Sequence, residues 1–275
     1  MTQPVAGESE TIVGHVRERY ARIARESSSC CGSSCSPSAE VPVALEIGYR
    51  KDELEAAGDA NLGLGCGAPV AQLGLEPGET VLDLGSGPGL DAFLAARSVG
   101  AAGRVIGVDM TPEMLERARA GAAKLGLAQV EFREGRLEAL PVADASVDAV
   151  TSNCVINLVP DKGQVFREVA RVLKPGGRLV ISDILLNGSL PEAVRQDVYA
   201  YVGCVSGAEQ RELYFDRLRA AGLGEIEILK DVDYLAGLRA VAPEEAEALL
   251  ARAGVRWEEL AGRVRSVTFR ARKPV

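Results

Sequence analysis

The chain has 275 residues, a formal net charge of −8 and a pI near 5.0, which argues against nucleic acid as a partner because a phosphate-binding surface needs excess Lys and Arg. Hydrophobic residues make up 47%, enough for a core in one large α/β domain with additions, or at most two domains. The N-terminal stretch carries scattered charges and no apolar segment of the secretory kind, and no run reaches the length of a membrane span, so a cytoplasmic protein is expected.

Residues 10–26 repeat apolar Ile12, Val13, Val16, Tyr20 and Ile23 at helical spacing between Arg and Glu, which predicts an amphipathic helix with His15 on its surface. Residues 27–38 (SSSCCGSSCSPS) follow as a polar loop in which no core can form. Its Cys30, Cys31 and Cys35 read either as a short metal or redox loop or as incidental thiols. A short helix is expected over residues 52–57. Residues 60–69 (ANLGLGCGAP) form a tight loop where Gly63, Gly65 and Gly67 surround Cys66. Taken alone, Cys66 reads equally as a thiol brought close to a ligand and as a small buried hydrophobe.

Residues 80–84 (TVLDL) are apolar and start with β-branched side chains, as a buried parallel strand should. The strand runs into GSGPG, where Gly85, Gly87 and Gly89 allow a sharp turn under the N-terminal amides of a helix over residues 90–99. A second strand over residues 104–108 ends in Asp109, placed to accept both hydroxyls of a ribose. The glycines stand at relative positions 0, 2 and 4 rather than 0, 2 and 5, with Leu90 where a dinucleotide fingerprint needs its third glycine, which weakens a nicotinamide or flavin reading.

Thr111 as N-cap and Pro112 at the first helical position open a helix to Leu125. A third strand over 130–133 leads into GRLEALP (135–141), a fourth over 147–151 into SNCVINLVP, and a helix over 161–173 into the turn KPGG (174–177), read as a helix stop. A fifth strand over 178–183 precedes a helix over 191–203 that brings up Cys204, a helix over 209–221, a strand over 226–234, a helix over 243–253 and a closing strand over 264–270. Strands alternating with helices at this spacing predict an open, mostly parallel sheet wound on both faces.

Asp83 immediately before GSGPG, with Asp109 one strand later, resembles the first motifs of the class I S-adenosylmethionine-dependent methyltransferases, and KPGGRLVISD resembles the same class. The resemblance implies a Rossmann-like sheet with an antiparallel edge and S-adenosylmethionine as cofactor. It places Asp83 near the amino acid end of that cofactor, Asp109 on its ribose, and Leu137 and Glu138 beside its adenine. Gly85, Ser86, Gly87, Gly89, Met110 and Asn153 complete the expected cofactor contacts. In this class the residues just past the fourth strand face the transferable methyl group; amino-group enzymes often place an NPPY-like motif there, whereas this chain offers Asn153 and the thiol of Cys154.

A single histidine excludes a Ser/His/Asp triad in the body of the domain and any zinc site of several histidines. Six cysteines in a cytosolic chain read as reactive or ligating rather than as structural disulfides. Cys66, Cys154 and Cys204 are single, 88 and 50 residues apart, and each sits on a loop or element end that can open on the same face of the sheet. None has the C-x2-C partner usual in zinc sites, and three converging thiolates suit a soft, three-coordinate, pyramidal centre such as trivalent arsenic.

The segments ANLGLGCGAP, SNCVINL and YVGCVSGA closely resemble the three cysteine motifs of the arsenite S-adenosylmethionine methyltransferases, in order and spacing, over roughly residues 40–235. The resemblance implies that Cys66, Cys154 and Cys204 bind As(III), with Cys154 and Cys204 as the essential pair, and that arsenite or its glutathione conjugates are the substrate. It further implies a thiol reductant, thioredoxin or glutathione, and enzyme disulfides between turnovers; Cys30 or Cys31 pairing with Cys66 is one such pairing. The family commonly has Asn where Ala68 stands, and often a further upstream cysteine, a part that Cys30, Cys31 or Cys35 can fill.

The expected organisation is an N-terminal helix and cysteine loop (1–39), a cofactor-binding domain with the thiol site (40–235) and a C-terminal extension completing it (236–275). Nothing demands more than a monomer, and neither nucleic acid nor membrane is an expected partner. A class I methyltransferase of a small organic acceptor, and a non-catalytic thiol protein for As(III) or zinc, are the alternatives.

Overall fold

A computed structural model describes residues 6–26, 40–195, 205, 207–241 and 243–275. Among them one seven-stranded sheet runs in the order β3-β2-β1-β4-β5-β7-β6. Strands β1 (Thr80–Leu84), β2 (Arg104–Asp109), β3 (Val130–Glu134), β4 (Val147–Asn153) and β5 (Leu173–Leu186) pair in parallel. Strands β6 (Gly224–Asp233) and β7 (Val264–Arg272) complete it in antiparallel fashion.

Successive strand residues feed opposite layers, as the two-residue period of a strand dictates. Leu82, Ile106, Val150 and Ile181 pack with Val165, Phe166 and Val169 of helix α6 (Lys162–Val172) and with Tyr214, Phe215 and Leu218 of helix α8 (Arg211–Ala220). Their neighbours Val81, Val105, Ala149 and Val180 pack on the other face against α4 (Leu90–Val99) and α5 (Pro112–Leu125). This is the doubly wound, mostly parallel sheet of the class I methyltransferases.

The remaining described helices are α1 (Ala6–Glu26), α2 (Glu40–Ile47), α3 (Lys51–Ala57), α7 (Glu192–Arg195), α9 (Tyr234–Val241), α10 (Pro243–Ala253) and α11 (Trp257–Leu260). No described helix is long and apolar enough to cross a membrane. Strand order reverses at β1, which pairs with both β2 and β4, and a crevice for ligand is expected beyond the carboxyl ends of those strands.

The structure departs from the sequence reading in several places. KPGG does turn, with Gly176 at φ 76°: residues 174–177 have no ladder partner in β4 or β7 and bulge out of β5 between the Val147–Leu173 and Ala149–Arg178 pairs, and Gly176 donates to the carbonyls of Lys273 and Pro274. Helix α6 does stop at Val172, just ahead of it. Strand β4 continues to Asn153, so Cys154 is the first residue past the strand rather than two or three beyond it. The closing strand β7 lies inside the sheet between β5 and β6, and β6 forms the edge. Thr111 occupies the N-cap position of α5, but its side chain makes no cap hydrogen bond. Cys30, Cys31, Cys35 and Cys204, and most of the helix expected over 191–203, lie outside the described residues.

Candidate cofactor and thiol site

The turn after β1 is held by backbone amides: Gly85 and Ser86 both donate to the Val108 carbonyl, at 2.8 and 3.1 Å. Gly85, Gly87 and Gly89 have φ of 64°, 50° and 100°, the left-handed region that favours glycine. A Cβ at Gly85 would run into the Val155 side chain, and one at Gly89 would lie 2.7 Å from the Phe93 ring. At Gly87 no atom lies within 4 Å of the added carbon, so bare backbone borders open space there.

Asp109 closes this wall. Its Oδ2 accepts from the Gly87 amide at 2.9 Å and its Oδ1 from the Thr111 amide at 2.8 Å, leaving each oxygen a further lone pair. Met110, Leu137, Glu138, Asn153 and Cys154 line the same cleft as the glycine turn. Arg136 holds Glu138 at 3.0 Å and Glu10 of α1 at 2.9 Å. Val13, Val16 and Tyr20 of α1 form part of the cleft wall, so this helix lies across the cleft.

Two buried acids, Asp83 and Asp91, meet the half-buried Asp109 here. Burial, with Asp91 and then Asp109 nearby, pushes Asp83 well above the usual carboxylate range. Asp91 is pushed up to about 6 by burial, against the opposing hydrogen bonds of Asn153 and Tyr49. Burial also raises Asp109, opposed by hydrogen bonds from the Thr111, Gly87 and Met110 backbone and the Thr111 side chain. Like charges so close cannot all ionise in a dry site.

The thiol side adjoins this acid side. Asn153, ending β4, accepts from the Cys66 and Gly67 amides at 3.0 and 3.3 Å through Oδ1. Its Nδ2 lies 2.7 Å from the Gly67 carbonyl, 2.8 Å from the Tyr49 hydroxyl and 3.1 Å from Asp91 Oδ2. Cys154 has φ of 60°, unusual for a residue with a side chain, and its amide donates to the Ser182 carbonyl at 2.8 Å. Cys66 (3% exposed) and Cys154 (8%) belong to one buried cluster, with Leu158, Ile184 and Leu186. Val205, which follows Cys204 in the chain, is 2% exposed in the same cluster. Among the described residues, no group of three His, Cys, Asp or Glu side chains is placed to hold a metal ion.

Every expected cofactor residue falls on the carboxyl side of β1, β2 and β4 or on the 135–141 segment. The sequence reading missed Tyr49, Asp91 and the cleft-facing part of α1. Asp91 left a signal, as the single acid on a helix otherwise apolar up to Arg97. Tyr49 left none: its hydroxyl donates to Asp91 Oδ1 at 2.8 Å across 42 residues of chain.

A family model described as a methyltransferase domain matches residues 75–248. The crystal structure of an arsenic(III) S-adenosylmethionine methyltransferase from Chlamydomonas reinhardtii superposes with a TM-score of 0.60 at 32% identity, covering 88% of this chain and 75% of that one. The chain belongs to the arsenite S-adenosylmethionine methyltransferase family. Arsenite methyltransferases of Halobacterium salinarum and Aquipseudomonas alcaligenes are 44% and 38% identical over 224 and 200 residues, 78% and 70% of this chain. The matches span 57% and 56% of those two proteins, so the chain corresponds to little more than half of their length.

The wall fits the family's cofactor. Asp83 Oδ2 and Ser86 Oγ are buried with no hydrogen-bond partner among the described residues, beside the open space at Gly87. An orphaned carboxylate oxygen and an orphaned hydroxyl among neighbouring acids, with no cation beside them among the described residues, suit a ligand that carries positive charge.

Proposed function

We propose that the protein methylates trivalent arsenic, first arsenite and then methylarsenite, for detoxification, with As(III) held by the thiolates of Cys66, Cys154 and Cys204. The observation that carries this reading is the shared buried cluster of Cys66, Cys154 and Val205 next to the glycine-turn cleft. Three chain segments far apart in sequence meet there, each bearing or adjoining a single cysteine.

S-adenosylmethionine, when bound, supplies a methyl group on a positively charged sulfur. In this reading Asp109 accepts the ribose hydroxyls with the lone pairs its amide partners leave, and Asp83 and Ser86 receive the polar amino acid end. Leu137 and Glu138 flank the adenine. The thiols lose their protons as they displace hydroxide or glutathione from the incoming arsenical, so no strong protein base is needed. Held by sulfur, As(III) would keep a lone pair that the site aims at the methyl carbon, the carbon–sulfur bond breaking as the carbon–arsenic bond forms and its electron pair leaving on the neutral thioether; alignment alone can supply several kcal/mol of the barrier. Arsenic is formally oxidised by two electrons in each transfer. A thiol reductant, thioredoxin or glutathione, restores it, with Cys30, Cys31 or Cys35 as accessory redox residues of a cytoplasmic monomer.

Incubation with arsenite, S-adenosylmethionine and a thiol reductant, followed by chromatography with element-specific detection, tests the reading. Methylated arsenic is expected from the wild type, and a loss of about a hundredfold or more from Cys154→Ser, since the remaining ligands no longer fix the arsenic. A protein that binds S-adenosylmethionine yet yields no methylated arsenic would instead be a methyltransferase of a small organic acceptor.

A further inference from the structure

Asn153 touches both halves of the site. On one side its carboxamide reads the backbone of the Cys66 loop, through the Cys66 and Gly67 amides and the Gly67 carbonyl. On the other it meets Tyr49 and Asp91, which line the cleft. The loop is fitted to this hold: a Cβ at Gly65 would sit 2.8 Å from Asn153 Nδ2, and the Ser266 hydroxyl fixes the Cys66 carbonyl from the far side at 2.6 Å. The next residue in the chain is Cys154. One carboxamide therefore ties the Cys66 segment to the strand end that leads into Cys154.

The donor side of that carboxamide is oversubscribed. Nδ2 has two hydrogens, and three acceptors stand within 3.1 Å of it. Positive charge arriving in the cleft draws Asp91 Oδ2 toward itself and releases a hydrogen for the Gly67 carbonyl. The hold on the Cys66 loop then tightens. Arsenic bound to a fixed Cys66 acts in the opposite direction with the same sign, because coupling between two binding sites is reciprocal.

We propose that Asn153 is a positioning residue through which cofactor binding and As(III) binding strengthen one another. This rests on the arsenic reading above. The test is equilibrium dialysis of arsenite against the full chain with element-specific detection, with and without sinefungin, a non-reacting cofactor analogue that carries an amine where the sulfonium sits. For the wild type, sinefungin tightens As(III) binding by about fivefold or more.

In Asn153→Ala and Asn153→Asp that ratio falls to about one, and As(III) binding without sinefungin weakens. Sinefungin is kept at a concentration that titration shows to saturate each variant, so a lost ratio reports lost coupling and not lost sinefungin; a merely structural role would lower affinity and leave the ratio in place. Tyr49→Phe provides the second measurement if the Asn153 variants fail to fold. It removes one competing acceptor, so two hydrogens serve two acceptors, and the ratio falls because the hold is already tight without ligand. A wild-type ratio of one, or a wild-type ratio preserved in these variants, overturns the proposal. A wild type that binds no As(III) at all overturns the thiol reading beneath it.

Discussion

At the scale of single residues, the glycine turn separates what the fold requires from what the ligand requires. Gly85 faces the Val155 side chain, whereas Gly87 faces open space, although both have positive φ. Gly87→Ala is expected to cost about 1 kcal/mol of stability from backbone strain alone, yet to weaken S-adenosylmethionine binding by about tenfold or more because the methyl fills the ligand's approach. Gly85→Ala should destabilise by more, since it adds a collision beside Cys154. Thermal unfolding and isothermal titration of both variants check this ordering. A Gly87→Ala variant that binds the cofactor normally would contradict the placement.

Asp183 gives a pH prediction of its own. Fully buried in β5, it accepts from Tyr214 at 2.9 Å and Asn157 at 2.8 Å, and burial pushes it up to about 7. Its unfolded value lies near ~4. Between those values the folded state holds a proton that the unfolded state has lost, so this stabilising contribution is present below about pH 4 and is lost as pH rises through 7. Asp183→Asn removes the titrating group. Its unfolding temperature should therefore fall less between pH 4.5 and 8, about the window of the linkage, than that of the wild type. Equal slopes in the two proteins would contradict this assignment.

At the scale of elements, helix α1 has a use that its own sequence only half discloses. The apolar stripe Ile12, Val13, Val16, Tyr20, Ile23 predicted the helix but not what it covers. In the fold Val13, Val16 and Tyr20 face the cleft, while Arg25 pairs with Glu113 of α5 at 2.6 Å and Glu10 with Arg136 at 2.9 Å. Exposed ion pairs of this kind contribute little, so the apolar contacts hold the helix in place. Deletion of residues 1–26 should leave the sheet folded, because no strand comes from that segment, and raise the cofactor dissociation constant by about tenfold. An unchanged dissociation constant by titration would show that α1 covers nothing the cofactor uses.

The strands were legible because the central ones, such as TVLDL and RVIGVD, are mostly apolar and end at Gly or Asp, while outer ones such as GEIEILKDVD alternate apolar with polar residues. The glycine turn and its acids were legible because their spacing is local. What was not legible was pairing across distance. Helices α2 and α9 escaped because one is short and carries Pro42 and the other follows β6 without a break and contains Gly237. KPGG reads locally as a turn and is one, but its position as a bulge between two paired stretches of β5, tied to Lys273, depends on residues far along the chain. Tyr49 and the hold of Asn153 on the Cys66 loop depend on contacts across 104 and 87 residues, which no spacing rule reports.

At the scale of the molecule, the sheet order brings both halves of the proposed site to one crevice. Reversal at β1 opens the space between the carboxyl ends of β1 and β4. The first of those ends carries Asp83 and the glycines, and the second Asn153 and Cys154. The glycine turn and the Cys154 segment therefore meet across a single pair of hydrogen-bonded neighbours, with Leu84 paired to Ser152 at the rim.

The central claim is that arsenic is held by three thiolates drawn from three distant segments. X-ray absorption at the arsenic edge of the arsenite-loaded protein counts its ligands directly. The account predicts three sulfur neighbours in the wild type, and two sulfurs with one oxygen in Cys66→Ser, Cys154→Ser and Cys204→Ser alike. An oxygen-dominated shell in the wild type, or three sulfurs retained in any of those variants, would contradict it.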